Sequence, residues 1–99
     1  MIAFKRTASI APGKVAQAIG FAHEIKSYLK RSYDIDLEIQ VPIGGNPNRI
    51  GWATRYTDLA AYDAATAQMT ADKAYWEMVS KASDLFIAGS VEDTLWRSV

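Results

Sequence analysis

The sequence contains no cysteine and a single histidine, His23. A chain without cysteine can form no disulfide, no thiolate nucleophile and no cysteine-ligated metal site, and it fits a reducing compartment. One histidine per chain also excludes a metal site built from several imidazoles. We therefore expect no metal ion, and since no cofactor-binding motif is present we expect no cofactor.

An excess of charge of either sign is also missing, because 11 basic residues balance 11 acidic ones and the formal net charge is zero. Such a surface lacks the electrostatic footprint of a protein that binds nucleic acid or an anionic membrane. No stretch approaches the roughly 20 apolar residues that span a bilayer. Residues 1–10 lack the basic start and apolar run of a signal peptide. We expect no nucleic acid or membrane partner, and a cytoplasmic location.

What the sequence does have is the composition of a folded domain. Its 99 residues are 49% hydrophobic and 22% charged. This length lies within the usual range of one domain and is too short for two independent cores. Residues 1–99 are therefore expected to form a single domain.

Alternation of apolar and polar residues predicts four strands, over residues 2–10, 37–43, 49–56 and 91–99. In the first strand Arg6 interrupts an otherwise apolar face. Pro42 places the end of the second strand at a sheet edge or a bulge. Residues 44–48 are rich in Gly, Asn and Pro, so they predict a hairpin loop between the second and third strands.

Three helices are predicted between these strands. Residues 14–33 carry one apolar stripe, formed by Val15, Ala18, Ile19, Ala22, Ile25 and Leu29. Thr57 or Asp58 is expected to cap a second helix, and Thr70 a third over residues 71–88 that stops at Gly89. The order strand, helix, strand, strand, helix pair, strand predicts an α+β fold of ferredoxin-like βαββαβ type with a four-stranded antiparallel sheet.

Four segments carry a resemblance that covers almost the whole chain. They are Ala11-Pro12-Gly13-Lys14 after the opening strand, residues 56–62, residues 72–76 and residues 89–96. With these turn and packing motifs the sequence resembles the dimeric α+β barrel superfamily, which includes NIPSNAP-like proteins and small antibiotic-biosynthesis-type monooxygenases. The resemblance implies a homodimer whose two sheets face each other across a two-fold axis, and a ligand pocket between sheet and helices. No family motif assigns a catalytic role to a numbered residue.

The sheet face that the helices leave open is expected to be mixed in character. Its candidates are Lys5, Thr7, Glu38, Gln40, Ala53, Arg55, Thr94 and Trp96. Such a face must be solvated, covered or paired with another subunit. The register of the third and fourth strands is not fixed by the sequence, so Trp52 and Trp96 could exchange faces.

Two residues are weak catalytic candidates, His23 and Arg55. His23 is the only side chain whose ordinary pKa lies near neutrality, although its place on the flank of the first helix favours surface or interface packing. Arg55 could join Lys5 and Glu38 in an ion-pair network at the dimer face. Alternatively, Arg6 or Arg55 could hold a carboxylate or enolate-like substrate.

Large aromatic rings are frequent for so short a chain. They are Trp52, Tyr56, Tyr62, Tyr75, Trp76, Phe86 and Trp96. Such rings most often belong to a core or an interface. The alternative is a ligand pocket lined by Trp52, Tyr75 and Trp76, with Arg6 nearby. Residues 44–46 are a weak signal for a phosphate site, because they join two strands and open no helix.

Two functions are consistent with this sequence. The first is a NIPSNAP-like homodimer that binds a small molecule or a partner protein. The second is a cofactor-independent monooxygenase or isomerase that acts on a small aromatic or polyketide-like substrate. The sequence leaves open whether the protein is an enzyme, because no recognisable pair of acid and base is present.

Overall fold

Four strands form one antiparallel sheet in the computed structural model, which describes all 99 residues. In chain order the elements are β1 (Ile2–Ser9), α1 (Val15–Tyr33), β2 (Glu38–Gln40), β3 (Arg49–Tyr56), α2 (Leu59–Thr70), α3 (Lys73–Lys81), a 3₁₀ turn (Ser83–Leu85) and β4 (Glu92–Arg97). The strand order is β2-β3-β1-β4. The predicted ferredoxin-like α+β fold is confirmed. No helix combines the length and the apolar character that crossing a membrane would need.

The central strand β1 decides which residues face the helices. Arg6 lies opposite Trp52 on β3 and opposite Asp93 on β4, and Ala8 lies opposite Ile50. Because neighbours in register share a face, the even-numbered residues of β1 and β3 lie under the helices. Trp52 is 8% exposed, whereas Trp96 is 71% exposed on the opposite face. The sequence alone did not decide which of these two rings faces the helices. In the structure Trp52 does, and Trp96 lies on the open face.

The core is centred between α1 and the sheet. On α1 the buried side chains are Ala18, Ala22, Ile25 and Leu29, which recur at the helical spacing expected from the sequence. Ala18 and Ala22 are completely buried, and their small size lets α1 approach the sheet closely at Ile50. By contrast, neither α2 nor α3 contains a buried residue. The packing is therefore tight under α1 and looser under the other two helices.

The second strand is shorter than the sequence predicts. Alternation favours a strand over residues 37–43, but β2 ends at Gln40. Pro42 has no backbone N–H to donate to a ladder, and the neighbouring Val41 and Ile43 are exposed. Residues 41–48 form the predicted connection between the antiparallel strands β2 and β3.

The third helix is also shorter than predicted, since α3 ends at Lys81 and not at residue 88. The reason is a competing partner: Phe86 forms a bridge with Ile10 beyond the end of β1. The N–H of Ile87 donates to the carbonyl of Ser9 at 2.9 Å, which requires an extended backbone that a helix cannot supply. These bonds tie the end of the helical layer to the sheet.

The helix caps match the sequence in one case and differ in another. Asp58 caps α2 by accepting a hydrogen bond from the N–H of Ala61 at 2.8 Å, as expected. The prediction that Thr70 caps α3 is wrong. Thr70 is the last residue of α2 and donates its hydroxyl to the carbonyl of Thr66, while Asp72 caps α3.

Ile50→Ala should lower the free energy of unfolding by about 2–5 kcal/mol, because it opens a cavity at a side chain that is 1% exposed. The matched control is Ile43→Ala in the β2–β3 loop, where the side chain is fully exposed and the change should be within about 0.5 kcal/mol. Urea denaturation of the two variants measures both values. Equal losses would contradict the placement of the core.

Candidate functional site

A cavity of about 190 Å³ lies between the sheet and the three helices. The sheet contributes its floor with Phe4, Arg6, Ala8, Trp52, Thr54 and Tyr56. The walls include Phe21, Ile25 and Leu29 of α1, Tyr62, Thr66 and Met69 of α2, and Tyr75, Trp76 and Val79 of α3. Ile35, Leu37, Phe86 and Val91 complete the lining. The lining is dominated by aliphatic and aromatic side chains, which makes this space suited to an apolar molecule.

Both threonines of the lining use their hydroxyl protons within the chain. Thr54 Oγ1 donates to the carbonyl of Asp36 at 2.7 Å. Thr66 Oγ1 donates to the carbonyl of Tyr62 at 3.0 Å, as a hydroxyl in a helix commonly does one turn back. These hydroxyl donors are therefore already engaged.

The one charged residue of the lining, Arg6, is paired with Asp93. Its Nε donates to Oδ1 at 2.7 Å and its Nη2 to Oδ2 at 2.9 Å, a two-pronged contact between neighbouring strands. These hydrogen bonds outweigh the opposing effect of burial and raise the pKa of Arg6 above its ordinary value. The two side chains are 40% and 39% exposed, so the pair is partly solvated. The positive charge at the cavity is thus compensated by the chain itself.

The indole N–H of Trp52 has no such partner. Its Nε1 is the one buried side-chain nitrogen or oxygen in the chain that makes no hydrogen bond. The contrast with Trp76 is direct, because Nε1 of Trp76 donates to the carbonyl of Thr70 at 2.9 Å. A buried donor without an acceptor costs stability, and native proteins contain few of them. Trp52, a residue of the cavity lining, therefore carries an unused hydrogen-bond donor.

Three tyrosines, Tyr56, Tyr62 and Tyr75, also line the cavity. The rings of Tyr56 and Tyr62 pack edge to face with centroids 5.5 Å apart, and Tyr62 also lies 5.9 Å from Phe4. Burial, with a smaller part from Tyr62, raises the pKa of Tyr56 above its ordinary value. A raised pKa keeps this phenol protonated near neutral pH, so it is not a ready general base.

A second polar cluster joins the helices outside the cavity. The hydroxyls of Tyr28 and Tyr33 on α1 both donate to Oδ2 of Asp72 at 2.5 Å. The other oxygen of Asp72 accepts from the N–H of Tyr75 at 3.1 Å, which caps α3. One carboxylate thereby connects α1 with the start of the helix that covers the cavity.

The structure brings four of the predicted site residues together at one cavity. These are Arg6, Trp52, Tyr75 and Trp76, the set expected from the sequence to contact a ligand. It does not bring the two catalytic candidates there. His23 is on the exposed side of α1, and Arg55 is exposed on the opposite face of the sheet.

The open face of the sheet carries the expected mixture of side chains along a broad groove. Lys5, Glu38 and Arg55 line it with Trp96, and no ion pair forms among the three charged residues within the chain. Glu38 instead accepts a hydrogen bond from Gln40 at 2.9 Å. The predicted ion-pair network is therefore absent within a single chain.

Sequence reasoning did not find Asp93, nor the cluster of Asp72 with Tyr28 and Tyr33. Asp93 could have been assigned to the helix side of β4 by alternation, but only once the register against β1 was known. Asp72 lies 44 and 39 positions from Tyr28 and Tyr33, and the helix cap predicted at Thr70 gave no indication of those partners.

No family model matches the sequence, and no curated protein matches it. Solved structures, by contrast, match the fold of this chain. A NIPSNAP domain protein from Burkholderia xenovorans has a TM-score of 0.84 at 17% identity, over 100% of this chain and 95% of that one. A NIPSNAP family protein of unknown function from Agrobacterium tumefaciens gives 0.82 at 17%, over 99% and 87%. A putative antibiotic biosynthesis monooxygenase from Deinococcus radiodurans gives 0.75 at 11%, over 100% and 93%.

These identities establish a shared fold and not a shared activity. The chain has the ferredoxin-like α+β fold of the NIPSNAP and antibiotic-biosynthesis-monooxygenase structures. The resemblance drawn from the sequence named the same two groups, and it is confirmed at the level of fold.

The Asp72 cluster should make stability depend on pH at both ends of the scale. Hydrogen bonds from Tyr28 and Tyr33 lower the pKa of Asp72 below its ordinary 3.8. The same bonds raise the pKa of Tyr28 above its ordinary 10.0, and that of Tyr33 to about 12. The stabilisation is complete between pH 3.8 and 10.0. It is lost as pH falls through the folded pKa of Asp72, or rises through the folded pKa of the tyrosines.

The double variant Tyr28→Phe, Tyr33→Phe should therefore melt below the wild type at pH 7, and the gap should narrow in strong acid and strong base. Melting curves by circular dichroism across pH measure the gap. Tyr56→Phe is the control, since its hydroxyl is not bonded to a carboxylate and its effect should be constant in acid. A gap that stays unchanged below pH 3 would contradict the assignment.

Proposed function

We propose that this protein is a homodimer that binds a small, mainly apolar molecule in the cavity between its sheet and its helices. The observation that carries the proposal is the cavity itself, about 190 Å³ of space lined by aromatic and aliphatic side chains. An engineered apolar cavity of about 150 Å³ is large enough to bind benzene. The space here suits one ring with a small substituent.

The lining also has the chemistry of a binding site more than of a reaction centre. Its titratable groups are Arg6 and the three tyrosines Tyr56, Tyr62 and Tyr75. Arg6 is occupied by Asp93, and the pKa of Tyr56 is raised, away from the range of a general base. The alternative function, a cofactor-independent monooxygenase or isomerase, stays a prediction, supported by the shape of the cavity and the names of some fold relatives.

Toluene should bind wild-type protein with a dissociation constant below about 1 mM, corresponding to about 4 kcal/mol of binding free energy. Shifts of amide resonances at cavity residues in a two-dimensional NMR titration would report the site. Val79→Phe should abolish binding, because the added ring enters the cavity from α3. Ser80→Phe adds the same ring on the exposed side of α3 and should leave binding unchanged. Unaltered binding in Val79→Phe would refute the cavity as the site.

The homodimer is proposed from the opposite face of the sheet. A sheet with helices on one side leaves its other side to be solvated or covered. Here that side presents Trp96, 71% exposed, beside Lys5, Glu38 and Arg55 without intrachain ion pairs. Two copies placed face to face would cover the ring and let charges of opposite sign meet across the interface. The fold shared with the NIPSNAP and antibiotic-biosynthesis-monooxygenase structures supports this proposal, because the resemblance to the dimeric α+β barrel superfamily implies that two sheets face each other.

The wild-type protein should elute and scatter light with twice the 10.9 kDa mass of one chain at micromolar concentration. Trp96→Glu should produce a folded monomer, since it removes apolar area from the open face and adds a charge there. Leu59→Glu is the control, because Leu59 is also an exposed apolar side chain but lies at the start of α2 on the helix side. That variant should remain a dimer. A wild-type monomer would refute the pairing.

A further inference from the structure

We infer that the ligand of this cavity is an uncharged ring compound with a single hydrogen-bond acceptor, such as a carbonyl oxygen, which accepts from the indole N–H of Trp52. The inference rests on the proposed function, because it assigns the chemical class of the molecule that the cavity would bind. It replaces the carboxylate or enolate-like ligand for which Arg6 is the partner expected from sequence.

The first step concerns Trp52. Its indole is 8% exposed, lines the cavity, and is the single buried side-chain donor without an acceptor. A buried N–H that no chain atom satisfies gains the full value of a hydrogen bond when a ligand supplies the acceptor. A purely apolar ligand would leave this donor unpaired. The donor therefore favours a molecule with one oxygen or nitrogen lone pair.

The second step concerns charge. Arg6 would be the partner of an anion, but both oxygens of Asp93 already accept from it at 2.7 and 2.9 Å. A carboxylate entering the cavity would lose its water and meet a compensated cation with a second carboxylate beside it. Desolvation of an ion without a free counter-charge is costly. The Arg6–Asp93 pair therefore disfavours anions while it tolerates neutral molecules.

The third step concerns the neighbouring donors. The hydroxyls of Thr54 and Thr66 donate to backbone carbonyls, and the indole of Trp76 donates to Thr70. Arg6 keeps N–H groups that Asp93 does not use, but its side chain is 40% exposed, so water can accept from them. Among the buried donors of the lining, the indole N–H of Trp52 is the one without a partner. A phenol such as Tyr75 can donate or accept, so it imposes no comparable preference on the ligand.

Three ligands of nearly equal shape separate the effect of a hydrogen-bond acceptor from the effect of a negative charge. They are acetophenone, its apolar analogue α-methylstyrene, and benzoate. At pH 7 acetophenone should bind about fivefold more tightly than α-methylstyrene, the value of one neutral hydrogen bond. Benzoate should bind at least about tenfold more weakly than acetophenone. NMR titration of the 99-residue chain measures the dissociation constants.

The indole resonances give a direct readout of the donor. The chain has three tryptophans, and Trp76→Phe and Trp96→Phe variants assign their signals without altering Trp52. Acetophenone should move the Trp52 indole proton downfield, and α-methylstyrene should not. Trp52→Phe should bind both neutral ligands with equal affinity. If this variant does not fold, the wild-type indole shift decides the matter alone.

A variant of Asp93 tests whether its pairing with Arg6 disfavours anionic ligands. Asp93→Asn should release Arg6 and tighten benzoate binding about tenfold, with less than a twofold change for acetophenone. Wild-type protein that binds benzoate as well as acetophenone would overturn the inference. So would equal affinity for acetophenone and α-methylstyrene, or an indole shift at another tryptophan, and in these cases the proposed function stands. If none of the three ligands binds, the proposed function fails as well.

Discussion

The pairing of β1 on both of its edges is the constraint on which the rest of the structure depends. It fixes Arg6 between Trp52 and Asp93, and it fixes Lys5 between Ala53 and Thr94. Because side chains alternate along a strand, a slip of one residue would exchange these two sets between the helix side and the open side. The apolar floor of the cavity and the mixed outer face are therefore consequences of one register.

The cavity exists because the helices do not pack equally on that sheet. Two alanines, Ala18 and Ala22, let α1 lie close to the strands, whereas α2 and α3 contribute half-buried side chains and no buried ones. The covering helices are held at their margins. Asp72 connects α3 to α1, and the bridge between Phe86 and Ile10 returns the chain to the sheet. Anchoring at the edges with little packing in the middle leaves room for a ligand.

The sequence predicted the parts of this structure that depend on local periodicity. The stripe of α1, the Asp58 cap and the alternation of β1 and β3 each arise from neighbours in the chain, so they are visible without a partner. Other features depend on contacts between distant residues. The end of α3 at Lys81 follows from the Phe86 bridge, and the compensation of Arg6 follows from a residue 87 positions away. Four ligand-contact candidates were placed at the cavity, but the unused donor on Trp52 required knowledge of every neighbouring atom.

The two faces of the sheet carry separate sets of side chains, and Gly51 belongs to the open face. Arg55 on β3 and Trp96 on β4 both lie in register with Ala3 of β1 on the open face, so neither belongs to the cavity lining. Gly51 lies between Ile50 and Trp52, and on the open side the chain of Lys5 crosses it so closely that a Cβ would lie 2.9 Å from Lys5 Cε. A side chain there would displace Lys5, because flexible methylenes move more easily than a paired strand. Gly51 thus lets a charged side chain lie flat on the open face while its neighbours in sequence support the core and the cavity.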